Sequence, residues 1–460
     1  MLRGHAENDR ESVHGALTRD IIDTDGGFVF RPIHYLGSKL RVLPAIREAV
    51  DRLDPSGGPV CDLFSGSATV SRFLSRRRQV LAVDIQEYSR VLAEAVLNGA
   101  GREVAPPTTD RLGASDFGHS LRWAVDPLVT YEAEAAERAL AGEIGPLCEL
   151  LQLGNLASLA GSDLPHASPL ADAAHRSLER IVRLGLPGPD TVCVRHFGGQ
   201  YFSFAQAARL DDLVRFARAS GSPVVLAATL STASHLVNSI GKQFAQPIRP
   251  TDKSGSPKHH VVKKVLSERG LDAGSVFSGY LRQYGSLQVS RRDHSAVRAD
   301  YREALAAPRL KPTVVYADPP YTRDHYSRFY HTLETIALGD DPSITRSNLG
   351  GGELHSRGGY RAGRHQSPFC IKSQAPAAFS ALFAGVAGLG VPLVLSYSGY
   401  DPSAGARPRV MALDSVVALA RHHFREVSVE RLASVEHMKL NTVSLNKAAK
   451  GTTEVLVLCR

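Results

Sequence analysis

A short stretch that joins an apolar run to two prolines is the strongest candidate for chemistry in this chain. The hexapeptide YADPPY at residues 316–321 follows the run TVV at 313–315, which predicts a buried strand that ends in a rigid loop. Asp318 and the carbonyl of Pro319 can both accept hydrogen bonds from one exocyclic amine, and Tyr321 can stack on a flat base. Pro-Pro alone would favour an ordinary proline turn. The flanking Asp and Tyr favour a base-binding site instead.

A second candidate is the turn of small residues in the segment DLFSGSA at 62–68. A strand that ends in such a turn and continues into a helix lets a ligand approach backbone N–H groups closely. Asp84 ends the next predicted strand 18 positions after Gly66, near the ~20-residue spacing at which an acidic side chain binds ribose hydroxyls. Only one glycine stands where a dinucleotide fingerprint has three, which disfavours nicotinamide and flavin cofactors. Each feature alone is typical of a plain structural turn, but together they favour an adenosine-containing ligand.

Alternating strands and helices predict the scaffold that positions these residues. Strands at 59–64 and 80–84 alternate with helices at 69–77 and 89–97, and another helix follows residues 35–39. This alternation of strands and helices stops between about residues 101 and 312. It resumes with helices at 327–338, 375–389 and 413–424 and with strands at 392–398, 425–431 and 453–459, the last two expected to pair as an antiparallel edge. We predict a loose leader at 1–30, a catalytic domain at 31–105 and 311–460, and an inserted, mainly helical target-recognition region at 106–310.

The excess positive charge of the chain lies in one segment. The 460 residues carry a net charge of +8, and residues 241–311 hold 14 Lys/Arg against 6 Asp/Glu, which equals that whole excess. Such a segment is often only a solvated surface. Its position between the two motifs, and its Tyr280 and Tyr284, favour phosphate contacts with base or sugar stacking. The predicted DNA-binding residues are Lys253, Lys258, Lys263, Lys264, Arg291 and Arg292, together with Arg357, Arg361 and Arg364 in a glycine-rich loop.

Several classes of function are disfavoured by composition. The cysteines, at positions 61, 148, 193, 370 and 459, have no paired spacing that predicts zinc, redox chemistry or a disulfide framework. The first 25 residues lack the apolar core of a signal peptide, and no apolar run approaches the ~20 residues that span a bilayer. We therefore expect a cytoplasmic protein without membrane contact. His331 and Glu334, three positions apart, are expected to form a helix-stabilising pair rather than a metal or acid–base pair.

Four segments in the same order resemble the Dam-like alpha group of DNA adenine methyltransferases. They are YLGSK at 35–39, DLFSGS at 62–67, VDIQEYS at 83–89 and DPPY at 318–321, and residues 326–336, 367–369 and 395–398 resemble one subset of that group. The similarity covers about residues 31–99 and 313–398. Ala68 stands where the family often has a second glycine, a change that is tolerated if the backbone there is not left-handed. Thr322 stands where Asn is expected.

The resemblance implies a fold, a cofactor and roles for individual residues. The implied fold is α/β, a class I S-adenosylmethionine-dependent methyltransferase (Rossmann-like) mixed sheet, and the implied substrate is adenine N6 in double-stranded DNA. No metal is required. The implied catalytic residues are Asp318, Pro319, Pro320 and Tyr321. The implied residues of the S-adenosylmethionine site are Tyr35, Gly37, Lys39, Asp62, Phe64, Ser65, Gly66 and Asp84, with Asp84 on the ribose and Tyr35 and Lys39 near the cofactor or the target base.

Other reactions and roles stay open at this point. Methylation of cytosine N4 uses the same two amine hydrogens, although Asp rather than Ser before Pro-Pro favours adenine. Cytosine C5 methylation is disfavoured because it needs a thiolate, usually in a Pro-Cys pair, and no cysteine here follows a proline. A non-catalytic DNA-binding subunit and an RNA substrate also remain alternatives. The sequence leaves open the recognition site, the oligomeric state and any partner from a restriction or defence system.

Overall fold

The structure, a computed structural model, describes residues 30–99, 115–160, 168–186, 188–348, 353–356, 358–398, 409–432 and 454–460. Within these ranges the strands are β1 (Val60–Leu63), β2 (Val80–Asp84), β3 (Ser295–Arg298), β4 (Val314–Ala317), β5 (Arg346–Asn348), β6 (Glu353–His355), β7 (Leu393–Ser398), β8 (Val427–Arg431) and β9 (Glu454–Cys459). The helices of the amino-terminal part are α1 (Leu43–Leu53), α2 (Thr69–Leu74) and α3 (Glu87–Leu97).

The remaining helices fall into two groups. Those of the inserted region are α4 (Asp116–Leu140), α5 (Gly145–Leu153), α6 (Leu156–Ala160), α7 (Pro169–Arg183), α8 (Phe204–Ser220), α9 (Pro223–Leu236), α10 (His259–Arg269) and α11 (Ala273–Gly285). Those that follow β3 are α12 (Tyr301–Ala306), α13 (Tyr326–Phe329), α14 (His331–Leu338), α15 (Ala375–Gly388) and α16 (Leu413–Arg421). None of the described helices is long and apolar enough to cross a membrane.

Seven strands form one mixed sheet in the order β3-β2-β1-β4-β7-β9-β8. The first five of these are parallel, and β9 runs antiparallel to both β7 and β8. The strand order reverses between β1 and β4, which creates a crevice at the carboxyl ends of these strands. The predicted α/β methyltransferase fold is confirmed, and so is the antiparallel pairing of the last two strands.

Both faces of the sheet are buried, as is usual for a largely parallel sheet covered by helices. Successive residues of each strand point to opposite faces. Val60 and Tyr316 therefore pack with α1, α3 and the inserted helices, whereas Cys61 and Val315 pack with α12, α15 and α16. This close packing fixes the strand ends that carry the candidate site.

The inserted region packs directly on the sheet. Its helices α4 to α11 share one continuous hydrophobic core with α3 and one face of the sheet. The strand β3 and helix α12 lie inside the predicted insertion at 106–310, but β3 belongs to the sheet and α12 covers one of its faces. The prediction missed β3 because it is a half-buried edge strand of four residues, SAVR, inside the basic segment.

The helix α14 contacts the amino-terminal end of α3 through a buried glutamate. The two Glu334 carboxylate oxygens accept hydrogen bonds from the backbone N–H groups of Glu87 and Tyr88, each at 3.0 Å. The His331 Nε2 instead lies 3.2 Å from the carbonyl oxygen of Phe244. Burial lowers the pKa of His331 to about 3. The expected His331–Glu334 pair is therefore not formed, because each side chain binds backbone from another element.

Candidate active site

A crevice opens at the carboxyl ends of β1, β2 and β4, where the strand order reverses. It contains roughly 900 Å³ of empty space, part of it open to solvent. Both sequence motifs contribute to its wall, together with residues near β3 and in the loop before α15. The lining residues include Tyr35, Lys39, Phe64, Asp84, Tyr88, Asp300, Tyr301, Asp318, Pro319, Pro320, Tyr321, Tyr326, His365 and Phe369.

Three aromatic rings form an apolar wall on the β1 side of the crevice. The ring of Phe64 lies 5.6 Å from that of Tyr301 and 5.4 Å from that of Phe369, the latter in an edge-to-face arrangement. Phe64 also has a left-handed backbone with φ of 63°, which is rare for a residue with a large side chain. The turn therefore holds this ring over the crevice at some cost in backbone strain.

The Asp84 carboxylate lies at the end of β2, facing the same crevice. Its Oδ2 accepts a hydrogen bond from the Gly66 N–H at 3.0 Å, and its Oδ1 accepts one from the Gln86 N–H at 2.9 Å. Burial raises the pKa of Asp84, and these two backbone donors act against that shift. A carboxylate fixed by two amides beside an aromatic wall fits the hydroxyl groups and the flat base of an adenosine moiety.

In the turn after β1, Phe64 lines the crevice, whereas Ser65 and Gly66 lie behind it. Gly66 has φ of +53°, and a Cβ there would lie 2.5 Å from the hydroxyl oxygen of Tyr35. Gly37, at φ +77°, similarly faces the Tyr326 hydroxyl. Gly66 and Gly37 thus let two tyrosines approach the backbone, and Ser65 lies beside Gly66 in this buried turn.

Two residues of this region depart from the sequence expectation. Asp62 lies within β1, where the Ser71 hydroxyl donates a hydrogen bond to it at 2.5 Å; burial raises the pKa of Asp62 to about 7. It is therefore placed under the crevice and not in its wall. Ala68 has φ of 58°, so the backbone is left-handed and the condition for a strain-free replacement of glycine is not met. That conformation costs an L-residue about 1–2 kcal/mol.

A buried ion pair network holds Asp318. The Lys39 Nζ lies 3.0 Å from Asp318 Oδ2 and 3.0 Å from Glu454 Oε1. Lys39 is 6% exposed and Glu454 is 2% exposed, whereas Asp318 retains 21% exposure toward the crevice. Burial alone would lower the pKa of Lys39, but the two carboxylates raise it well above its ordinary value. The lysine is therefore a permanent cation at the base of the site.

Two cations lie near the Tyr321 ring. Lys39 Nζ lies 5.7 Å from the ring centroid and the Arg409 guanidinium lies 5.0 Å from it. The Tyr397 ring is 5.1 Å away, and the Val410 N–H donates a hydrogen bond to the Tyr321 carbonyl at 3.0 Å. These contacts fix the ring beside Asp318, where it can contact a base whose amine reaches the carboxylate.

The basic helix α10 follows a segment of the chain that contacts α13 at the crevice. Val265 is its buried residue, whereas Lys263 and Lys264 are exposed, as is Lys253 in the preceding loop; Lys258 is half-buried. The segment between α9 and α10 contacts α13. In it, the Phe244 N–H donates a hydrogen bond to the Phe329 carbonyl at 2.9 Å. Phe329 ends α13, which begins at the crevice residue Tyr326.

Other predicted DNA-binding residues lie elsewhere. Arg291 and Arg292 are exposed just before β3, at the amino ends of the parallel strands and thus on the edge opposite Asp84. Arg361 pairs with Asp340 at 2.6 Å and is 14% exposed. Arg364 lies over the ring of Tyr360 at 4.9 Å. Arg357 lies outside the described residues.

The expected stacking role of Tyr280 and Tyr284 is wrong for this structure. Both side chains are buried in the core of the inserted region, at 6% and 0% exposure. The Tyr284 ring contacts Phe30 edge-on at 4.7 Å, and its hydroxyl lies 3.2 Å from that of Ser231. Their spacing matched the helical period of α11, and the buried face of that helix explains them better than a base-binding surface.

Sequence reasoning missed several residues of the site. Asp300 and Tyr301 follow β3, so they could be found only once that short edge strand was assigned to the sheet. Glu454 had one available signal, since it is an acidic residue at the start of the apolar run EVLVLC. Arg409 gave none. In the described part of the chain, no group of three or more His, Cys, Asp or Glu side chains is arranged to hold a metal ion.

Comparison with known proteins gives two similarities. A family model described as D12 class N6 adenine-specific DNA methyltransferase matches residues 35–112 and 290–349. The modification methylase LlaI of Lactococcus lactis subsp. lactis is 22% identical over 417 residues, which cover 91% of this chain and 52% of that protein. This chain therefore spans about half the length of that curated relative. Asp84 and Asp318 both fall within the matched family segments.

Proposed function

We propose that this chain is a D12 class N6 adenine-specific DNA methyltransferase, which transfers the methyl group of S-adenosylmethionine to adenine N6 in DNA. The observation that carries the proposal is the position of Asp318. Its carboxylate faces the same crevice as Asp84 and the aromatic wall of Phe64, Tyr301 and Phe369. A methyl donor and a base amine can therefore meet at one place.

The residues around the crevice fit S-adenosylmethionine, the methyl donor that members of this family use. In our proposal Asp84 binds the ribose hydroxyls, while Phe64, Tyr301 and Phe369 enclose the adenine ring. When bound, the cofactor supplies an electrophilic methyl group on a sulfonium centre. Gly66 and Gly37 keep Tyr35 and Tyr326 close to the backbone, which shapes the passage between the cofactor and the target base.

Asp318 and Pro319 would activate the target amine. The lone pair of an aromatic amine is delocalised into the ring, so the amine is a poor nucleophile. Hydrogen bonds from its two hydrogens to the Asp318 carboxylate and to the Pro319 carbonyl orient the nitrogen and stabilise positive charge that develops on it. The ring of Tyr321, held by Arg409 and Lys39, stacks on the base after it leaves the duplex.

Incubation with radiolabelled S-adenosylmethionine tests this function. Mixed-sequence duplex DNA is expected to take up label, and matched RNA is not. Label on RNA alone would contradict the DNA assignment. The relative's name also leads us to propose that the chain protects DNA as the modification enzyme of a restriction system. Methylated DNA should then resist a restriction activity from the same source.

We further propose that the insertion between residues 106 and about 293 recognises DNA, with α10 as its contact with phosphates. Replacing both Lys263 and Lys264 by alanine should weaken DNA binding and lower the slope of log affinity against log salt by about 0.9 per lost phosphate contact. The double replacement of Arg291 and Arg292, on the opposite edge, is the matched control and should leave the slope unchanged. Equal slopes for both variants would exclude α10 from the interface.

A further inference from the structure

Glu454 is a buried acid that takes no part in the proposed binding of S-adenosylmethionine. It begins β9, is 2% exposed, and accepts a hydrogen bond from the Ser396 hydroxyl at 2.7 Å. It is not among the residues that line the crevice. Burying a carboxylate is costly unless a cation and hydrogen bonds compensate it, and here the compensating cation is the same Lys39 that binds Asp318.

Two carboxylates share the ammonium of Lys39, so its attraction is divided between Asp318 and Glu454. If Lys39 served Asp318 alone, the two charges would cancel and the carboxylate would be a weaker acceptor. With Glu454 at the same 3.0 Å distance, the ammonium divides its attraction between two partners. Asp318 then keeps more of its negative charge for the amine that approaches it.

We infer that Glu454 is a positioning residue that acts through Lys39 to keep Asp318 a strong hydrogen-bond and proton acceptor. This inference rests on the proposed function. In that reaction N6 forms a bond to the methyl carbon while the sulfur–carbon bond breaks and its electron pair stays on sulfur. One proton then leaves N6, and the Asp318 carboxylate accepts it before releasing it to water.

Other groups near Asp318 are common to every variant compared below. They include Asp62 from β1, Tyr316 from β4, Tyr321 from the loop after β4 and Tyr326 from α13, together with Arg409, which lies 5.0 Å from the Tyr321 ring. Burial raises the pKa of each of these tyrosines above its ordinary value, so they stay neutral in the working range. Burial raises the pKa of Asp62 to about 7, and Asp62 is unchanged in every variant compared.

The test is the pH–rate profile of Glu454→Gln, which keeps the shape of the side chain and removes its charge. We expect kcat to fall about tenfold near neutral pH and the acid limb of the profile to move down by about one pH unit, since Lys39 then neutralises Asp318 more fully. The KM values for S-adenosylmethionine and DNA should change little. Glu454→Asp should restore part of kcat.

The matched control is Glu430→Gln on the neighbouring strand β8. Glu430 pairs with Arg52 at 2.6 Å on the surface, and its replacement should leave the profile unchanged. A Glu454→Gln profile that coincides with that of the wild type would overturn the inference. A fall in the amount of folded, cofactor-binding protein with an unshifted acid limb would also overturn it, since that result indicates a structural role alone.

A second measurement does not depend on catalysis. In protein carrying carbon-13 at aspartate carboxyl groups, Asp318 is identified from Asp318→Asn and its titration is followed by NMR without DNA. The midpoint should be lower in Glu454→Gln than in the wild type, and an unchanged midpoint refutes the inference. If the wild type transfers no methyl group but the midpoint shifts, the charge network stands and the proposed function fails.

Discussion

Replacing Asp318 by alanine is expected to reduce methyl transfer by about a thousandfold or more while S-adenosylmethionine still binds. The variant loses the acceptor for the target amine, a contact that strengthens as positive charge develops on nitrogen, and such contacts are worth about 10²–10³ each. Loss of the proton acceptor adds to that effect. The cofactor side of the crevice, at Asp84 and Phe64, is not altered.

The fold should survive this change because Lys39 keeps Glu454 as a partner at 3.0 Å. Single-turnover rates with saturating DNA, and cofactor affinity by calorimetry, measure the two effects separately. Asp190→Ala is a suitable control, since the Asp190 carboxylate is 17% exposed and pairs with Arg215 at 2.5 Å in the inserted region. Wild-type turnover in Asp318→Ala would refute the assignment of the catalytic residue.

Replacing Lys39 by methionine should both inactivate and destabilise the protein. The change leaves Asp318 and Glu454 as neighbouring carboxylates without their shared cation. Removing one partner of a buried ion pair costs about 3–5 kcal/mol in the free energy of unfolding. The Lys39→Met deficit should be measurable by urea denaturation, with the exposed Lys253→Met as the control.

The pH dependence of that deficit has a definite sign. The folded protein holds the pKa of Lys39 above its unfolded value, so the stabilisation is fully present below the unfolded pKa and is lost only as pH rises through the folded pKa. The wild type thus keeps this contribution across the neutral range. In Lys39→Met the two carboxylates can be neutralised by protons, so the deficit should be smaller at pH 5 than at pH 8. A deficit that grows toward acid pH would contradict this account.

The sequence was most informative where local pattern and burial coincide. The strands that became β1, β2 and β4 are short apolar runs that end in Phe64, Asp84 and Asp318, and a parallel sheet brings such ends to one edge. The family resemblance, and the α/β fold implied by it, are confirmed by the strand order and by the matched family segments. The roles of individual site residues remain proposals.

Contacts between residues far apart in the sequence could not be predicted from local sequence patterns. Lys39, Asp318 and Glu454 come from the start, the later part and the end of the chain, and only the packing of β4 and β9 on either side of β7 brings them together. The edge strand β3 lacked an apolar run, so Asp300 and Tyr301 were assigned to the wrong region. The stacking role of Tyr280 and Tyr284 was wrongly predicted because the basic residues of their segment suggested a binding surface. Both tyrosines instead lie on the buried apolar face of α11.

The identity of the methylated nucleoside tests the central claim most directly. Duplex DNA is incubated with the protein and isotopically labelled S-adenosylmethionine, digested to nucleosides, and analysed by mass spectrometry, with Asp318→Ala as the control. We predict label in N6-methyladenine with the wild type and none with the variant. Label in N4-methylcytosine, or N6-methyladenine formed equally by both proteins, would contradict the account.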